Sequence, residues 1–154
     1  MEGRPAVLDA AARAVIERHS LGYVASVNPD GTPNLSPKGM MLALDDHHIV
    51  FGEARSPGTL RNIRERPVVE INFVDVLARK GVRVRGCCEI ISRESEAFAA
   101  LRPSFDRWGA LADRIRHFVR VRVEAVKPIS SPAYDIGAEE EALRSHWKAY
   151  YQGL

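Results

Sequence analysis

Cysteine is scarce in this chain of 154 residues, and the two that occur, Cys87 and Cys88, are adjacent. Neighbouring residues on a strand point to opposite faces, so the pair cannot staple distant segments; this excludes a disulfide scaffold and points to a reducing compartment. The same two residues read as one buried and one half-buried strand position rather than as reactive thiols. Metal-ligand spacing is missing as well. His19, His47, His48, His117 and His146 are not spaced to the cysteines or to one another as a ligand set requires, so no metal is expected. No G-x-S-x-G or P-loop signature occurs, and no side chain stands out as an acid, base or nucleophile.

Long apolar runs are also absent: no window approaches the roughly 18 apolar residues that cross a bilayer. The first residues carry Glu2 and Asp9 and no uninterrupted apolar stretch, so neither a membrane span nor a leader is read, and a cytoplasmic protein is expected. Charge of one sign is lacking too. With 22 Lys and Arg against 20 Asp and Glu, the net charge of +2 gives no argument for a nucleic-acid partner. The basic alternation Arg83, Arg85 after Arg79-Lys80 has no aromatic residues nearby for base stacking and reads as the solvated face of a strand. What is present is a 45% hydrophobic composition, enough for a single domain over residues 1–154. A chain of this size buries roughly 68–70% of its extended surface without help from disulfides or metal.

The pattern along the chain is mostly strand-like. Residues Pro5 to Ser20 repeat apolar positions at helical spacing, followed by a strand over Gly22–Val27 and a turn at Asn28-Pro29-Asp30-Gly31. Thr32 to Leu44 returns as a partner strand, with Pro33 and Pro37 pushing it toward a sheet edge. Ile49–Gly52, Val68–Val76, Val82–Ile91 and the strictly alternating Val119–Val126 complete six strands. Helices are expected over Thr59–Glu65, Ser95–Leu101, Ala110–Arg116 and Glu139–Tyr151. Hairpins with few, mostly short helices imply a mainly β fold, an antiparallel barrel with peripheral helices, rather than a βαβ layout.

The most informative stretch is Ser56-Pro57-Gly58-Thr59-Leu60-Arg61-Asn62-Ile63, which follows the apolar run Ile49-Val50-Phe51. A strand, a tight turn and a helix start gather unpaired backbone N–H groups and small hydroxyls at one point, an arrangement that suits a phosphate. Thr59 is placed to cap the helix while its N–H faces the anion. Lys38, between Pro37 and Gly39 where regular pairing is broken, is a candidate cation for the same ligand.

Ala25-Ser26-Val27, Asp30 to Gly39, Ser56-Pro57-Gly58-Thr59 with Asn62-Ile63, Pro67 to Asn72 and Arg79 to Gly86 occur in that order. From about Leu21 to Ile91 the chain resembles the pyridoxamine 5'-phosphate oxidase-like group of FMN-binding split-barrel proteins. The resemblance implies a six-stranded antiparallel split β-barrel, a homodimer, and FMN in a groove between subunits. It implies that the strand containing Ser36, Pro37, Lys38 and Gly39 lines the flavin, and that Ser56, Gly58, Thr59 and Asn62 hold its phosphate. Arg55 and Arg61 are further cations available to that phosphate, and Arg79, Lys80 and Gly81 are the candidates for a contribution across the dimer.

The chain departs from the oxidases proper in two places. Gly58-Thr59 stands where they carry an Arg-Lys pair, and Trp147 is all that stands in for their C-terminal Trp and Arg substrate segment. The vitamin-oxidase activity is therefore not carried over. The expectation is an FMN-dependent oxidoreductase with a small-molecule electron donor or acceptor. The alternatives are a non-catalytic flavin carrier or redox sensor, and a deazaflavin-dependent reductase.

Overall fold

A computed structural model of the chain describes residues 6–154. Seven strands form one sheet: β1 (Gly22–Val27), β2 (Pro33–Lys38), β3 (Met41–Ala43), β4 (His48–Glu53), β5 (Val68–Asp75), β6 (Lys80–Ser92) and β7 (His117–Ser130). Their order is β2-β1-β5-β6-β7-β4-β3, and every neighbouring pair is antiparallel. The outermost strands are consecutive in sequence. Two residues, Gly39 and Met40, carry the chain from one edge of the sheet to the other, and the Gly52 N–H donates to the Met40 carbonyl at 2.9 Å. Such a short crossing forces the sheet to curl into a half-open barrel.

That crossing also corrects the strand count from six to seven. The run Thr32–Leu44, expected as one strand, pairs with β1 in its first half and with β4 in its second, breaking at Gly39-Met40. Pro33 and Pro37 lie in edge strand β2, where a missing N–H leaves no ladder partner unsatisfied. The turn before it closes as expected, with the Gly31 N–H donating to the Asn28 carbonyl at 2.9 Å and Gly31 at φ 86°.

Period-2 alternation builds the barrel wall. In β5, Val69, Ile71 and Phe73 are buried while Val68 and Glu70 face out. These side chains join Val24, Met41, Ile49, Phe51, Val82, Val84, Val119 and Val121 in the barrel core. One end of that core is filled by Leu8, Ala12 and Ile16 from α1 (Ala10–Arg18) and its approach, and Leu60 and Ile63 come from α2 (Pro57–Glu65). α1 begins at a true cap: the Asp9 carboxylate accepts from the Ala12 N–H at 2.8 Å. It is shorter than the Pro5 to Ser20 expectation, and Pro5 itself lies outside the described residues.

A second core lies on the outer face of β4 and β7, under α3 (Glu96–Leu101) and the 3-10 segment Arg102–Arg114. Val50, Phe98, Phe105, Ile115 and Phe118 meet there, so β4 is covered on both faces and reads as a continuous apolar run. The helix expected over Ala110–Arg116 is instead the end of this 3-10 segment. Pro103 lacks the N–H needed to extend the α3 ladder, and Gly109 at φ 54° interrupts the helical path. After β7 come a short 3-10 turn, Pro132–Ile136, and the closing helix α4 (Glu140–Gln152).

Cys87 and Cys88 are both half-buried, correcting the expectation of one fully buried thiol. The register shift at Arg85/Gly86 falls just before them in the β6–β7 ladder, and Cys88 packs against the barrel core from a half-buried position. Burial, with the Cys87 and Glu124 charges adding to it, pushes the Cys88 thiol up to about 12. Among the described residues no helix is long and apolar enough to cross a membrane. None of their His, Cys, Asp and Glu side chains gather in threes that could hold a metal ion.

Candidate functional site

The turn between β4 and α2 is organised by one buried acid. Glu53 follows Ile49 and Phe51 at strand period on the inner face, and none of it is exposed to solvent. Its carboxylate accepts from the Ser56 N–H, from Arg116 at 2.9 Å and from His117 Nδ1 at 3.3 Å. Burial drives this carboxyl upward, but the three donors outweigh it and hold the group below its ordinary value. The chain is thereby fixed as it enters α2, whose first-turn N–H groups at Gly58 and Thr59 have no intrahelical acceptor.

Lys38 reaches this turn from β2. Its side chain is only 5% exposed, and its ammonium donates to Ser36 Oγ at 2.6 Å and to Ser56 Oγ. Three of the expected site residues, Ser36, Lys38 and Ser56, thus meet at one point. Both acceptors are neutral hydroxyls, so the buried charge is solvated by dipoles and not matched by a hydrogen-bonded carboxylate. Desolvation lowers the Lys38 pKa, with the charge of Glu53 opposing the shift.

Ser56, not Thr59, occupies the cap position of α2, and its hydroxyl makes no capping bond because Lys38 engages it. Thr59 is 3% exposed inside the first turn. One turn further on, Asn62 is fully buried and its Nδ2 donates to Ser26 Oγ at 3.1 Å and Asn28 Oδ1 at 3.0 Å. Its Oδ1 has no hydrogen-bond partner. Asn62 therefore ties α2 to β1 and the following turn. Arg55 and Arg61 are exposed on the turn and the helix, Pro37 and Gly39 are exposed on either side of Lys38, and a side chain at Gly58 would meet nothing closer than Arg61 at 4.0 Å.

Arg79, Lys80 and Gly81 lie elsewhere in the chain, at the β5–β6 turn. Arg79 adopts φ 55° and its guanidinium carbon sits 3.5 Å from the centre of the Trp147 ring. Lys80 donates to Glu140 at 2.9 Å. Gly81 is needed by the backbone itself, since a Cβ there would lie 2.1 Å from the Phe73 carbonyl oxygen. Within one chain, α4 and not α2 covers these residues.

Outward-facing residues of β2, β1 and β5 form a partly apolar surface. Leu35 is 66% exposed, Val68 47% and Tyr23 42%. A cleft of about 610 Å³ opens on this side between Val27, Pro33, Arg66, Val68 and Arg85.

Glu53 and Arg116 carry no site expectation in the sequence; Ser26 enters there only within the Ala25-Ser26-Val27 run and His117 only as a histidine without metal-ligand spacing. For Glu53 a signal exists: an acid two residues after Phe51 on the inward-facing period of a strand has to find donors. For Arg116 and His117, which lie 63 and 64 residues from Glu53, only the β4–β7 register reveals the contact.

The residues present suit a phosphate-bearing ligand: the buried Lys38 ammonium lacks an anionic hydrogen-bond partner, and Gly58 leaves open space beside the free N–H groups of α2. No match to a curated protein was found. Among solved structures, HupZ of group A Streptococcus is 26% identical over 80% of this chain and 94% of its own, with a TM-score of 0.66. A candidate pyridoxamine 5'-phosphate oxidase from Lactobacillus delbrueckii is 25% identical over 81% and 97%, with a TM-score of 0.67. An F420 reductase is 28% identical over 77% and 98%, with a TM-score of 0.60. Residues 8–130, which run from the approach to α1 to the end of β7, match the pyridoxamine 5'-phosphate oxidase family, and the chain belongs to that family.

Proposed function

We propose that the protein binds FMN and acts as an oxidoreductase, as a homodimer, with a small-molecule electron donor or acceptor. The observation that carries this reading is the buried Lys38 ammonium, held by Ser36 and Ser56 beside the free N–H groups of the α2 start. A phosphate near pH 7 bears close to two negative charges and would supply the anion that Lys38 lacks. Arg55 and Arg61 stand by as exposed cations, taking the place of the Arg-Lys pair found in the oxidases proper. Bound FMN supplies hydride or electron transfer; the protein supplies its orientation and the exclusion of water.

The homodimer reading rests on the outer face of β2, β1 and β5, where Leu35, Tyr23 and Val68 are exposed together. Exposed apolar surface of this kind marks an interaction site. In such a dimer Arg79, Lys80 and Gly81 are the candidates for reaching the flavin of the partner subunit.

A second reading, reduction with a deazaflavin coenzyme, is favoured by the 28% identity to an F420 reductase. Both cofactors carry phosphate, so Lys38 serves either. The experiment is a fluorescence titration of the purified protein with FMN, riboflavin and the deazaflavin coenzyme, followed by turnover with reduced nicotinamide donors and quinone acceptors. FMN binding well ahead of riboflavin, with turnover, is the expected result. Equal affinity for FMN and riboflavin would remove Lys38 from the site, a preference for the deazaflavin would change the cofactor, and binding without turnover would leave a carrier.

A further inference from the structure

Helix α4 is fastened to the barrel by charge and not by core packing. None of its residues is buried, and it lies beyond the stretch matched by the family. Its contacts converge on the β5–β6 turn: Glu140 accepts from Lys80 at 2.9 Å and from Arg144 at 3.0 Å, and Arg144 reaches Asp75 at 2.6 Å. One turn later Trp147 stacks on Arg79. Beneath the helix a cavity of about 190 Å³ separates it from α1.

The two cations held this way are Arg79 and Lys80. Lys80 is neutralised by Glu140, the middle one of the acidic run Glu139-Glu140-Glu141, which opens the helix. Arg79 is held with φ positive and with its Nε buried and unpartnered, so the stack on Trp147 leaves the guanidinium without an anion. An anionic ligand approaching this turn would have to displace the negative charge of the α4 start.

We propose that α4 is an autoinhibitory strap that competes with flavin for Arg79 and Lys80. This rests on the reading above, in which those residues meet the flavin of the partner subunit. The Lys80 and Glu140 side chains are 44% and 43% exposed, so their attraction is screened by salt and readily exchanged for a better anion. Linkage makes the effect reciprocal: whatever loosens α4 tightens flavin binding, and flavin loosens α4 by the same factor.

The test uses the full chain with Glu140→Gln and Trp147→Ala combined, read by hydrogen exchange over residues 140–152 and by FMN titration. Faster exchange in the helix and FMN affinity raised by roughly threefold to tenfold are expected, together with faster wild-type α4 exchange when FMN is added. FMN affinity that is unchanged or lower in a variant whose helix does exchange faster would overturn the strap while leaving the flavin reading intact. An absence of FMN binding by wild type and variant alike would end both. Should the double variant fail to fold, Glu140→Gln alone, at a half-buried position, gives the same readouts.

Discussion

Lys38 and Ser56 stand 18 residues apart in the sequence and are joined by a hydrogen bond from the ammonium to the hydroxyl. The bond links the edge strand β2 to the turn that opens α2, across the gap where the curled sheet stays open. A buried cation in this position serves the fold poorly, because its solvation by two hydroxyls replaces water incompletely. On the reading proposed above, a bound phosphate would supply the anion that the two hydroxyls do not.

Replacing that cation separates the two roles. Lys38→Met is expected to lower FMN affinity by about 10- to 100-fold, the size of a lost charge-assisted hydrogen bond, with little effect on riboflavin. Parallel fluorescence titrations of the two flavins check this. Equal losses for both would mean that the substitution had disturbed the fold and not the phosphate contact.

The pH dependence of binding follows from the same burial. Desolvation holds the folded Lys38 pKa below 10.5, so between the folded value and 10.5 the unfolded chain binds more protons and stability rises with pH. FMN binding runs the other way, weakening as pH rises through the folded pKa and the ammonium discharges. Lys38→Met should flatten both profiles between the folded value and 10.5, as measured by FMN titration and denaturant unfolding across a pH series.

Glu53 governs the acid side. Burial raises its pKa, but the Ser56 N–H, Arg116 and His117 together bring it below 4.5. The stability it contributes is therefore complete above 4.5 and is lost as pH falls through the lower, folded value. Glu53→Gln keeps the shape, weakens the links to Arg116 and His117 and should cost about 2 kcal/mol at neutral pH, with a shallower acid limb. Urea unfolding at a series of pH values measures both effects.

Much of this barrel is legible in alternation and turn chemistry. Val119 to Val126 alternates because β7 has one face in the core, and Asn28 to Gly31 turns because Pro29 and Gly31 suit the angles required. Ser36, Lys38 and Ser56 were expected at the site separately, and the structure brings them together. The triad of Glu53, Arg116 and His117 was hidden because sequence period gives the face of a strand but not the strand that will lie beside it. The docking of Arg79 on Trp147 was hidden for a related reason: a helix without buried residues leaves no apolar signature of where it rests.

Association through the sheet face can be tested at its most exposed apolar residue. Leu35→Glu places a charge on the outer surface of β2 without touching the core, since Leu35 is 66% exposed. Light scattering after gel filtration should show the wild type at twice the 17.1 kDa chain mass and the variant near the single-chain value. A monomeric wild type would rule out a contribution from the partner subunit to the flavin.

Two glycines separate backbone packing from ligand approach. At Gly81 a Cβ would stand 2.1 Å from the Phe73 carbonyl oxygen, a backbone atom that cannot yield without breaking the β5–β6 ladder, so Gly81→Ala should destabilise the fold by about 3 kcal/mol or more. At Gly58, in the first turn of α2, a Cβ meets only the far end of Arg61 at 4.0 Å, and replacing glycine by alanine at such a compatible site stabilises by about 0.4–1 kcal/mol through the unfolded chain. Gly58→Ala should therefore raise the thermal midpoint while lowering FMN affinity, because the new methyl group occupies the approach to the free N–H groups. A variant that gained stability and kept its full affinity would move the phosphate away from the start of α2. The opposite signs expected for stability and binding at this one position make it a sharper probe than any loss of function alone.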